Sequence, residues 1–292
     1  MEVSMGRTII RWAAYPLVVG ISAAAIIAIT RAGLPYWPWM VAVSLAGIAA
    51  VAGLERLAPH HVAWAADQGD LKADLAHNAV NLSVLHGSAA TLGLVVAVTG
   101  SAGLWPLALP LAVQILLVGL VIDFGLYTVH RISHRVPWLW RFHAIHHAPR
   151  RLYWLNGERR HPLHALIMAG PGISLCLGLG APVAAIAAWL ALTAVHLAFQ
   201  HANLDYTVGP LRRWLGTAEV HRFHHKRDYT QAEVNFGEVF MIWDRLFGTF
   251  EERPAPLGAD EVGISPDDVP AGYGGQMAYP FRRRLASARQ AS

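Results

Sequence analysis

The sequence predicts an all-α integral membrane bundle of about four to six spans, with a cytoplasmic helical cap that carries clustered histidines. Composition, segment length and the distribution of basic residues lead to this fold class. The 292 residues are 54% hydrophobic and 14% charged, and their mean hydropathy is +0.36, as is typical of membrane proteins. The formal net charge of +4 comes from basic residues that flank apolar segments. This pattern favours a membrane topology signal over a nucleic-acid partner.

Six apolar segments approach the roughly 20 residues that a helix needs to cross the hydrocarbon layer. They cover residues 12–30, 37–55, 82–104, 107–129, 163–181 and 183–200. Pro162 precedes the fifth segment, as is common in a first helical turn. The last two segments would also fit a hairpin that is too short to cross the membrane fully.

Basic residues predict the orientation of the bundle. Arg7 and Arg11 precede the first segment, which we interpret as a retained anchor, with a removed signal peptide as the alternative. With six crossings, the N-terminus lies on the same side as residues 56–81, 130–162 and 201–292. Together with the residues before the first segment, these regions hold every Lys and Arg except Arg31. The positive-inside rule therefore places both termini and all clustered histidines in the cytoplasm.

Composition divides the chain into a membrane domain, residues 1–253, and a polar C-terminal tail, residues 254–292. The tail contains Pro, Gly and Asp without an apolar period, so we expect it to be partly disordered. The single cysteine, Cys176, excludes a disulfide framework, a thiolate zinc site and a cysteine-ligated iron–sulfur cluster within one chain.

Histidines are concentrated beside the apolar segments. Twelve of the 16 lie between His130 and His225. Three clusters stand out: His130-x3-His134, His143-x2-His146-His147 and His221-x2-His224-His225. On helices these spacings place the imidazoles of each cluster on one face, and neutral imidazole binds iron, zinc and copper. One cluster alone fits a polar helix face that binds lipid headgroups, whereas three together predict a site for two metal ions.

Polar residues near the clusters are further candidates for the site. Asp123 and Tyr127 share a helical stripe with the first cluster. Because Asp123 lies within an apolar segment, it is a candidate acceptor for the N–H of a ligand histidine. His201 ends the last apolar segment and is a candidate ligand. His196 lies five residues earlier and off the same helix face, so its metal role stays open.

These residues resemble the motifs of the fatty acid hydroxylase and sterol desaturase superfamily over about residues 120–250. The matching motifs are Asp123-x3-Tyr127-x2-His130-x3-His134, Trp140-x2-His143-x2-His146-His147, Arg160-His161-Pro162-Leu163, His201-Ala-Asn203, His221-x2-His224-His225, Asn235-Phe-Gly237 and Trp243-Asp244-Arg-Leu-Phe-Gly-Thr249. Three residues, rather than the four of some relatives, separate the first two histidines. This spacing places the chain nearer the lipid- and sterol-modifying members than the carotenoid hydroxylases.

The resemblance implies a membrane-embedded di-iron oxygenase that uses O2 to hydroxylate or desaturate a lipid or sterol-like substrate. It implies two Fe ions, or zinc after mis-loading, held by a set of histidines. These ligands are His130, His134, His143, His146, His147, His201, His221, His224 and His225. We assign supporting roles around them to Asp123, Tyr127, Asn203, Asn235 and Asp244.

Electrons for this chemistry are expected from a separate protein of cytochrome or ferredoxin type. The chain carries no dinucleotide fingerprint, haem motif or set of iron–sulfur cysteines. We expect the donor to bind a basic surface around Arg150, Arg151, Arg159 and Arg160. The expected partners are therefore a lipid substrate, the membrane and this donor, without nucleic acid.

Two other classes of membrane protein also use histidines. A membrane zinc hydrolase is one alternative, but the chain has no His-Glu-x-x-His motif and has more imidazoles than one zinc ion needs. A histidine-rich metal transporter would place its ligands near the bilayer midplane, whereas these clusters lie at the membrane edge. Bound iron and oxygen consumption would distinguish the three classes.

Overall fold

The computed structural model describes residues 5–253, 256–265 and 268–282. The helices of the described residues are α1 (Met5–Arg31), α2 (Tyr36–Leu57), α3 (Leu71–Thr99), α4 (Leu111–Arg135), α5 (Pro137–His147), α6 (Pro162–Leu179), α7 (Val183–His201), α8 (Ala218–His224), α9 (Tyr229–Ala232), α10 (Ile242–Leu246) and α11 (Tyr273–Ala278). Short 3-10 turns join several of them, and the described segments pair only through isolated β-bridges. The predicted all-α class is confirmed.

Five helices are long and apolar enough to cross a membrane, judged over the described part of the chain. They are α1, α2, α4, α6 and α7. Each corresponds to one of the predicted apolar segments. The last two segments form separate helices of 18 and 19 residues, and α4 continues beyond its predicted end to carry the first histidine cluster.

The remaining apolar segment lies in α3, which begins at Leu71, well before the predicted residue 82. The first turns of α3 are polar and yet partly buried. Asp74 is fully buried and accepts hydrogen bonds from the Tyr153 hydroxyl at 2.7 Å and the Asn156 amide at 3.2 Å. An apolar pattern cannot detect a helix start that is buried by tertiary hydrogen bonds.

Helix α7 forms the centre of the bundle. Of the residues in its apolar stretch, 83% are buried, because α1, α2 and α4 pack around it. Gly119 of α4 lies against the Trp189 ring of α7, where a Cβ atom would come within 2.6 Å of ring carbons. Gly172 of α6 approaches the Ile122 backbone of α4 equally closely. Residues without a side chain at these two positions allow α4 to pack tightly against α6 and α7.

The ends of the long helices lie in two layers, one on each side of the bundle. At one end, the loop between α3 and α4 donates backbone hydrogen bonds to the last turn of α6. At the other end, the Asp205 amide donates to the Ala58 carbonyl, and the Thr207 amide donates to the Arg11 carbonyl. All three histidine clusters lie at this second end, where α4 and α7 finish. This arrangement is the one expected when successive long helices alternate in direction.

Described residues of the segment 254–292 pack against the histidine-bearing end. Leu257 and Val262 are buried beside Trp64, and Tyr279 is buried beside Trp140. The polar composition of this segment gave no indication of these apolar contacts. The parts of the segment that lie outside the described residues are 254–255, 266–267 and 283–292.

The prediction that four arginines form a basic surface for an electron donor is wrong for three of them. Arg151 and Arg159 each lie 2.7 Å from a carboxylate at the start of α3, with side chains 4% and 5% exposed. Arg160 is buried 3.6 Å from Glu238. Carboxylates that are distant in sequence thus draw these arginines into the interior, where buried cations require partners. Their ion pairs join the segment after α5 to its neighbours.

Candidate metal centre

Nine buried histidines lie together at the end of the bundle where α4 and α7 finish. The five-histidine group consists of His130, His134, His143, His147 and His224. The four-histidine group consists of His146, His201, His221 and His225. Within each group, the candidate ligand nitrogens lie within 4.8 Å of one another. The groups adjoin, since the stacked rings of His147 and His225 have centroids 4.6 Å apart.

Histidines four residues apart join the same group in all three clusters. His130 and His134 are one turn apart on α4 and both face the five-histidine group. On α5, the first and last histidines of the cluster join that group, and the middle one, His146, joins the four-histidine group. The cluster of α8 has the reverse assignment, since only its middle member, His224, joins the five-histidine group. Each His-x-x-His-His cluster therefore contributes to both groups.

Backbone carbonyls orient four of the rings through Nδ1. The contacts are His130 to Phe236 at 2.7 Å, His224 to Val234 at 2.9 Å, His146 to Arg159 at 3.2 Å and His201 to Leu197 at 3.1 Å. Because a carbonyl oxygen only accepts, each Nδ1 is assigned the proton and each Nε2 keeps its lone pair. The rings are thus held in the tautomer that offers Nε2 to a metal.

Two of these Nε2 lone pairs have no hydrogen-bond donor among the described residues. The Nε2 atoms of His146 and His201 lie 3.3 Å apart, and two unprotonated nitrogens cannot hydrogen-bond to each other. The Nε2 atoms of His130 and His224 are buried without a hydrogen-bond partner in the described part of the chain. A buried polar atom left unpartnered costs about 1–3 kcal/mol. The donor set therefore fits bound cations.

Nitrogen separations within the groups fit the same interpretation. The shortest Nε2 to Nε2 distances are 3.0 Å between His143 and His147 and 3.1 Å for both His221 to His201 and His225 to His221. Nitrogens about 3 Å apart are neighbours in a coordination shell whose metal–nitrogen bonds are ~2.1 Å long. Groups of five and four imidazoles exceed the needs of one tetrahedral ion, so the residues fit two metal ions.

Burial keeps the imidazoles of α5 and α8 neutral. Burial, followed by neighbouring imidazoles, lowers the pKa of five of them well below the ordinary value: His143, His146, His147, His221 and His225. Burial also lowers the pKa of His224 to about 4. Neutral imidazole is the form that ligates a metal, so these rings are available as ligands at neutral pH.

Asp244 supports the loop that holds His130. Its carboxylate accepts hydrogen bonds from the amides of Phe236 and Gly237 at 2.8 and 2.7 Å, and the Phe236 carbonyl in turn accepts from His130. A Cβ atom at Gly237 would come within 2.4 Å of the Phe240 carbonyl oxygen. The predicted Asn-Phe-Gly motif thus forms a tight loop that orients one candidate ligand.

The two predicted asparagines hold the ends of helices α7 and α8. Asn235, which has a left-handed backbone with φ 54°, donates to the carbonyls of Val220 and Glu251. This anchors α8 against the loop after α9. Asn203 binds the His61 backbone through both its amide oxygen and its amide nitrogen. The end of α7 is thereby joined to the segment after α2.

Asp123 has a different partner from the one that its position suggested. Its oxygens accept from the Val239 amide at 2.8 Å and the Trp243 indole at 3.1 Å, so the expected hydrogen bond from a ligand histidine is wrong. Asp123 lies about two helical turns before the histidines of α4, which places it under the loop after α9. The Tyr127 hydroxyl, 3.1 Å from the Thr249 hydroxyl, contacts the same region.

His196 lies outside both histidine groups. Its Nδ1 lies 2.8 Å from the Tyr15 hydroxyl, and its Nε2 lies 3.1 Å from the carbonyl oxygens of Gly216 and Glu238. Both nitrogens therefore have protein partners. The ring joins α7 to α1 and to the loops beside α8, and this placement separates it from the nine candidate ligands.

Comparison with known proteins defines the family. A family model described as fatty acid hydroxylase matches residues 115–249, the region that contains all nine grouped histidines. Ornithine lipid hydroxylase OlsE of Rhizobium tropici is 34% identical over 84% of this chain and 76% of its own length. This chain belongs to the fatty acid hydroxylase family. The predicted superfamily resemblance is confirmed.

Other members of the fatty acid hydroxylase family match a shorter part of the chain. Human alkylglycerol monooxygenase is 32% identical over 44% of this chain and 29% of its own length. Fatty acid hydroxylase vlmA of Lecanicillium sp is 33% identical over 49% of this chain and 43% of its own length. No solved structure matches the chain significantly.

The family motifs did not predict some of the contacts that surround the grouped histidines. The carbonyl groups that orient the rings were missed because every residue carries one. Ser133 was also missed, although its hydroxyl lies 2.9 Å from Nε2 of buried His164, whose ring centroid is 5.0 Å from that of His143. The signal available for the ring-orienting loop was the Asn-Phe-Gly motif itself.

Proposed function

We propose that this chain is a membrane-bound, O2-dependent di-iron oxygenase that hydroxylates a lipid. The observation that carries the proposal is the pair of adjoining groups of buried imidazoles in a chain of the fatty acid hydroxylase family. Five and four imidazoles provide ligands for two ions and leave positions for dioxygen. When bound, two irons supply dioxygen activation and removal of hydrogen from an unactivated C–H bond.

The named relatives favour hydroxylation over desaturation. Each of the three is called a hydroxylase or a monooxygenase, and neither a hydrolase nor a transporter is among them. The alternatives of a zinc hydrolase and a metal transporter thus lack support. Because ornithine lipid hydroxylase aligns with 84% of this chain, an ornithine lipid is the first substrate to test.

The residues of the chain hold the imidazoles and exclude water. The ring centroids of Trp140 and Phe236 each lie 5.1 Å from that of His134, so aromatic side chains cover the five-histidine group. His134 and His201 lie at the ends of two membrane helices, α4 and α7. This position suits a lipid whose polar head stays at the interface while its hydrocarbon chain approaches the centre.

Mass spectrometry of lipids tests this function directly. Cells that make ornithine lipids and express the chain should accumulate a lipid heavier by one oxygen atom, and isotopically labelled dioxygen should supply that atom. Cells that express His147→Ala at the same level should not. Loss of two hydrogens without added oxygen would identify a desaturase instead, and unlabelled oxygen in the product would contradict an oxygenase.

The metal content is a separate test. Purified protein should contain about two metal ions per chain, with iron when iron is supplied and zinc when overexpression mis-loads the site. The readout is elemental analysis. A single ion that survives removal of all three histidines of α8 and its C-terminal cap would overturn the two-metal proposal.

We place the histidine groups and both termini on the cytoplasmic side, where a cytochrome or ferredoxin can deliver electrons. Leu104 is 72% exposed at the opposite end of the bundle, and Asp260 is exposed at the histidine-bearing end. In a Cys176→Ser background, Leu104→Cys should react with an impermeant thiol reagent in intact cells, and Asp260→Cys should react only after lysis. Reaction of Asp260→Cys from outside would reverse the orientation.

A further inference from the structure

A cavity of about 700 Å³ lies beside α8, away from the metal centre. Arg222 and Phe223 line it, and the 3.6-residue helical period places them on the side of α8 opposite the three histidines. Four arginines and three carboxylates are among its lining residues. The metal centre makes no use of this cavity.

Arg222 brings a buried positive charge to the cavity wall. The residue is 6% exposed, and its Nη2 donates to the carbonyls of Ala202 and Leu204 at 2.8 and 3.0 Å. Its Nε is buried without a hydrogen-bond partner, and no carboxylate of the described residues forms an ion pair with it. Because a guanidinium stays protonated in proteins, Arg222 carries a positive charge without a directly paired carboxylate among the described residues.

His60 adds a second unpartnered nitrogen to the same cavity. Its Nε2 is buried and has no hydrogen-bond partner among the described residues. Burial, followed by the charge of Arg222, lowers the pKa of His60, so the ring is neutral. A neutral imidazole with its proton on Nε2 is a hydrogen-bond donor.

The three carboxylates of the cavity already have partners, and that of Asp205 is Arg11 at 3.9 Å. Glu219 accepts from the Thr207 hydroxyl at 2.7 Å and the Val208 amide at 2.9 Å. Glu252 accepts from Arg212 and Arg213. The unused hydrogen-bonding capacity therefore belongs to donors, and a ligand that accepts hydrogen bonds and carries negative charge is complementary to them.

Apolar side chains near the cavity indicate where such a ligand comes from. Trp12 follows the lining residue Arg11 in α1, and Leu211 precedes the lining residue Arg212. Trp12, Leu57 and Leu211 are 57%, 65% and 57% exposed at the ends of the membrane helices and beside them. Exposed apolar groups at this level face the interface between hydrocarbon and headgroups.

We propose that this cavity binds a phosphate group through Arg222 and His60, and that a membrane phospholipid supplies it. The phosphate oxygens accept hydrogen bonds from the two side chains, while the exposed apolar residues contact the lipid chains. Arg–phosphate contacts are charge-assisted and among the stronger hydrogen bonds of proteins. The proposal concerns a site separate from the di-iron centre and does not depend on the identity of the metals.

Calorimetric titration of the metal-loaded, full-length protein in detergent tests the site. The two probes are inorganic phosphate and dihexanoyl phosphatidic acid below its micellar concentration. Arg222→Gln and His60→Gln should each weaken phosphatidic acid binding by about tenfold or more. The matched control is Arg227→Gln, because Arg227 is exposed and does not line the cavity, and it should bind as the wild type does.

The outcomes separate the site from its ligand source. Tighter binding of phosphatidic acid than of inorganic phosphate supports a lipid ligand, whereas equal affinities overturn the lipid source. Absence of binding, or wild-type affinity in both variants, overturns the site. Metal content is measured for every variant, because Arg222 adjoins His221. If Arg222→Gln loses metal or its thermal transition, His60→Gln decides the result, since His60 Nε2 makes no hydrogen bond to a described residue.

Discussion

His130 and His224 in the metal centre differ from His77 and His196 outside it in what the second ring nitrogen contacts. All are buried. His77 and His196 have hydrogen-bond partners for both nitrogens. His130 and His224 each have one nitrogen on a backbone carbonyl, and the other has no protein partner among the described residues. Burial and residue type therefore do not distinguish His130 and His224 from His77 and His196, whereas an unpartnered ring nitrogen does.

Removal of a grouped histidine should have the largest effect. His147→Ala and His225→Ala each remove a ring at the contact between the two groups. We expect turnover to fall on the order of 100-fold or more, while the apolar helices still insert the chain into the membrane. Product formation and the amount of protein in the membrane fraction measure the two effects. Wild-type turnover with unchanged metal content would remove that residue from the ligand set.

Two further variants test whether the two groups correspond to two ions. His134 belongs only to the five-histidine group, and His201 belongs only to the four-histidine group. His134→Ala and His201→Ala should each reduce the metal content from about two ions per chain to about one. Elemental analysis measures the change. If both variants retained two ions, the groups would not act as separate sites.

A smaller effect is expected from the carboxylate behind His130. Asp244→Asn removes the charge that two loop amides and the Thr249 hydroxyl contact. Groups that orient a ligand typically change metal affinity or activity by about 10–100-fold. Competition with a chelator measures the affinity, and activity is measured in parallel. Asp228→Asn, at an exposed carboxylate that caps α9, is the control. Equal losses in both variants would indicate general destabilisation instead.

The smallest functional effect is expected outside the groups. His196→Ala should retain both metal ions, because both ring nitrogens already have protein partners. The substitution removes the hydrogen-bond partner of the Tyr15 hydroxyl and of two carbonyls. This loss should lower the free energy of unfolding by about 1–3 kcal/mol. A lower Tm with normal metal content is the expected result. Loss of an ion would move His196 into the ligand set.

Local spacing predicted much of the candidate centre. Histidines three and four residues apart share a helix face whatever the rest of the chain does, so the faces of α4, α5 and α8 were predictable. The apolar segments also predicted the long helices, because hydrocarbon thickness sets their length. The motif resemblance contributed Asn235 and Asp244.

Other features depended on segments that are far apart in sequence. Arg151 and Arg159 looked like surface cations until α3 supplied their carboxylates. Asp123 was expected to contact a histidine, but a loop more than one hundred residues later supplies its donors. The start of α3 escaped the apolar pattern for the same reason, since tertiary hydrogen bonds bury its polar turns.

The sequence alone determined which residue types lie on which helix face, because a helical period acts over a few residues. Only the tertiary structure decided how the α5 and α8 clusters divide between two groups, and which carbonyl faces each ring. His130 and the Phe236 carbonyl are separated by 106 positions, so no local pattern relates them. Their contact depends on packing of the loop after α9 against α4, and that packing leaves the opposite nitrogen of the ring free for a metal.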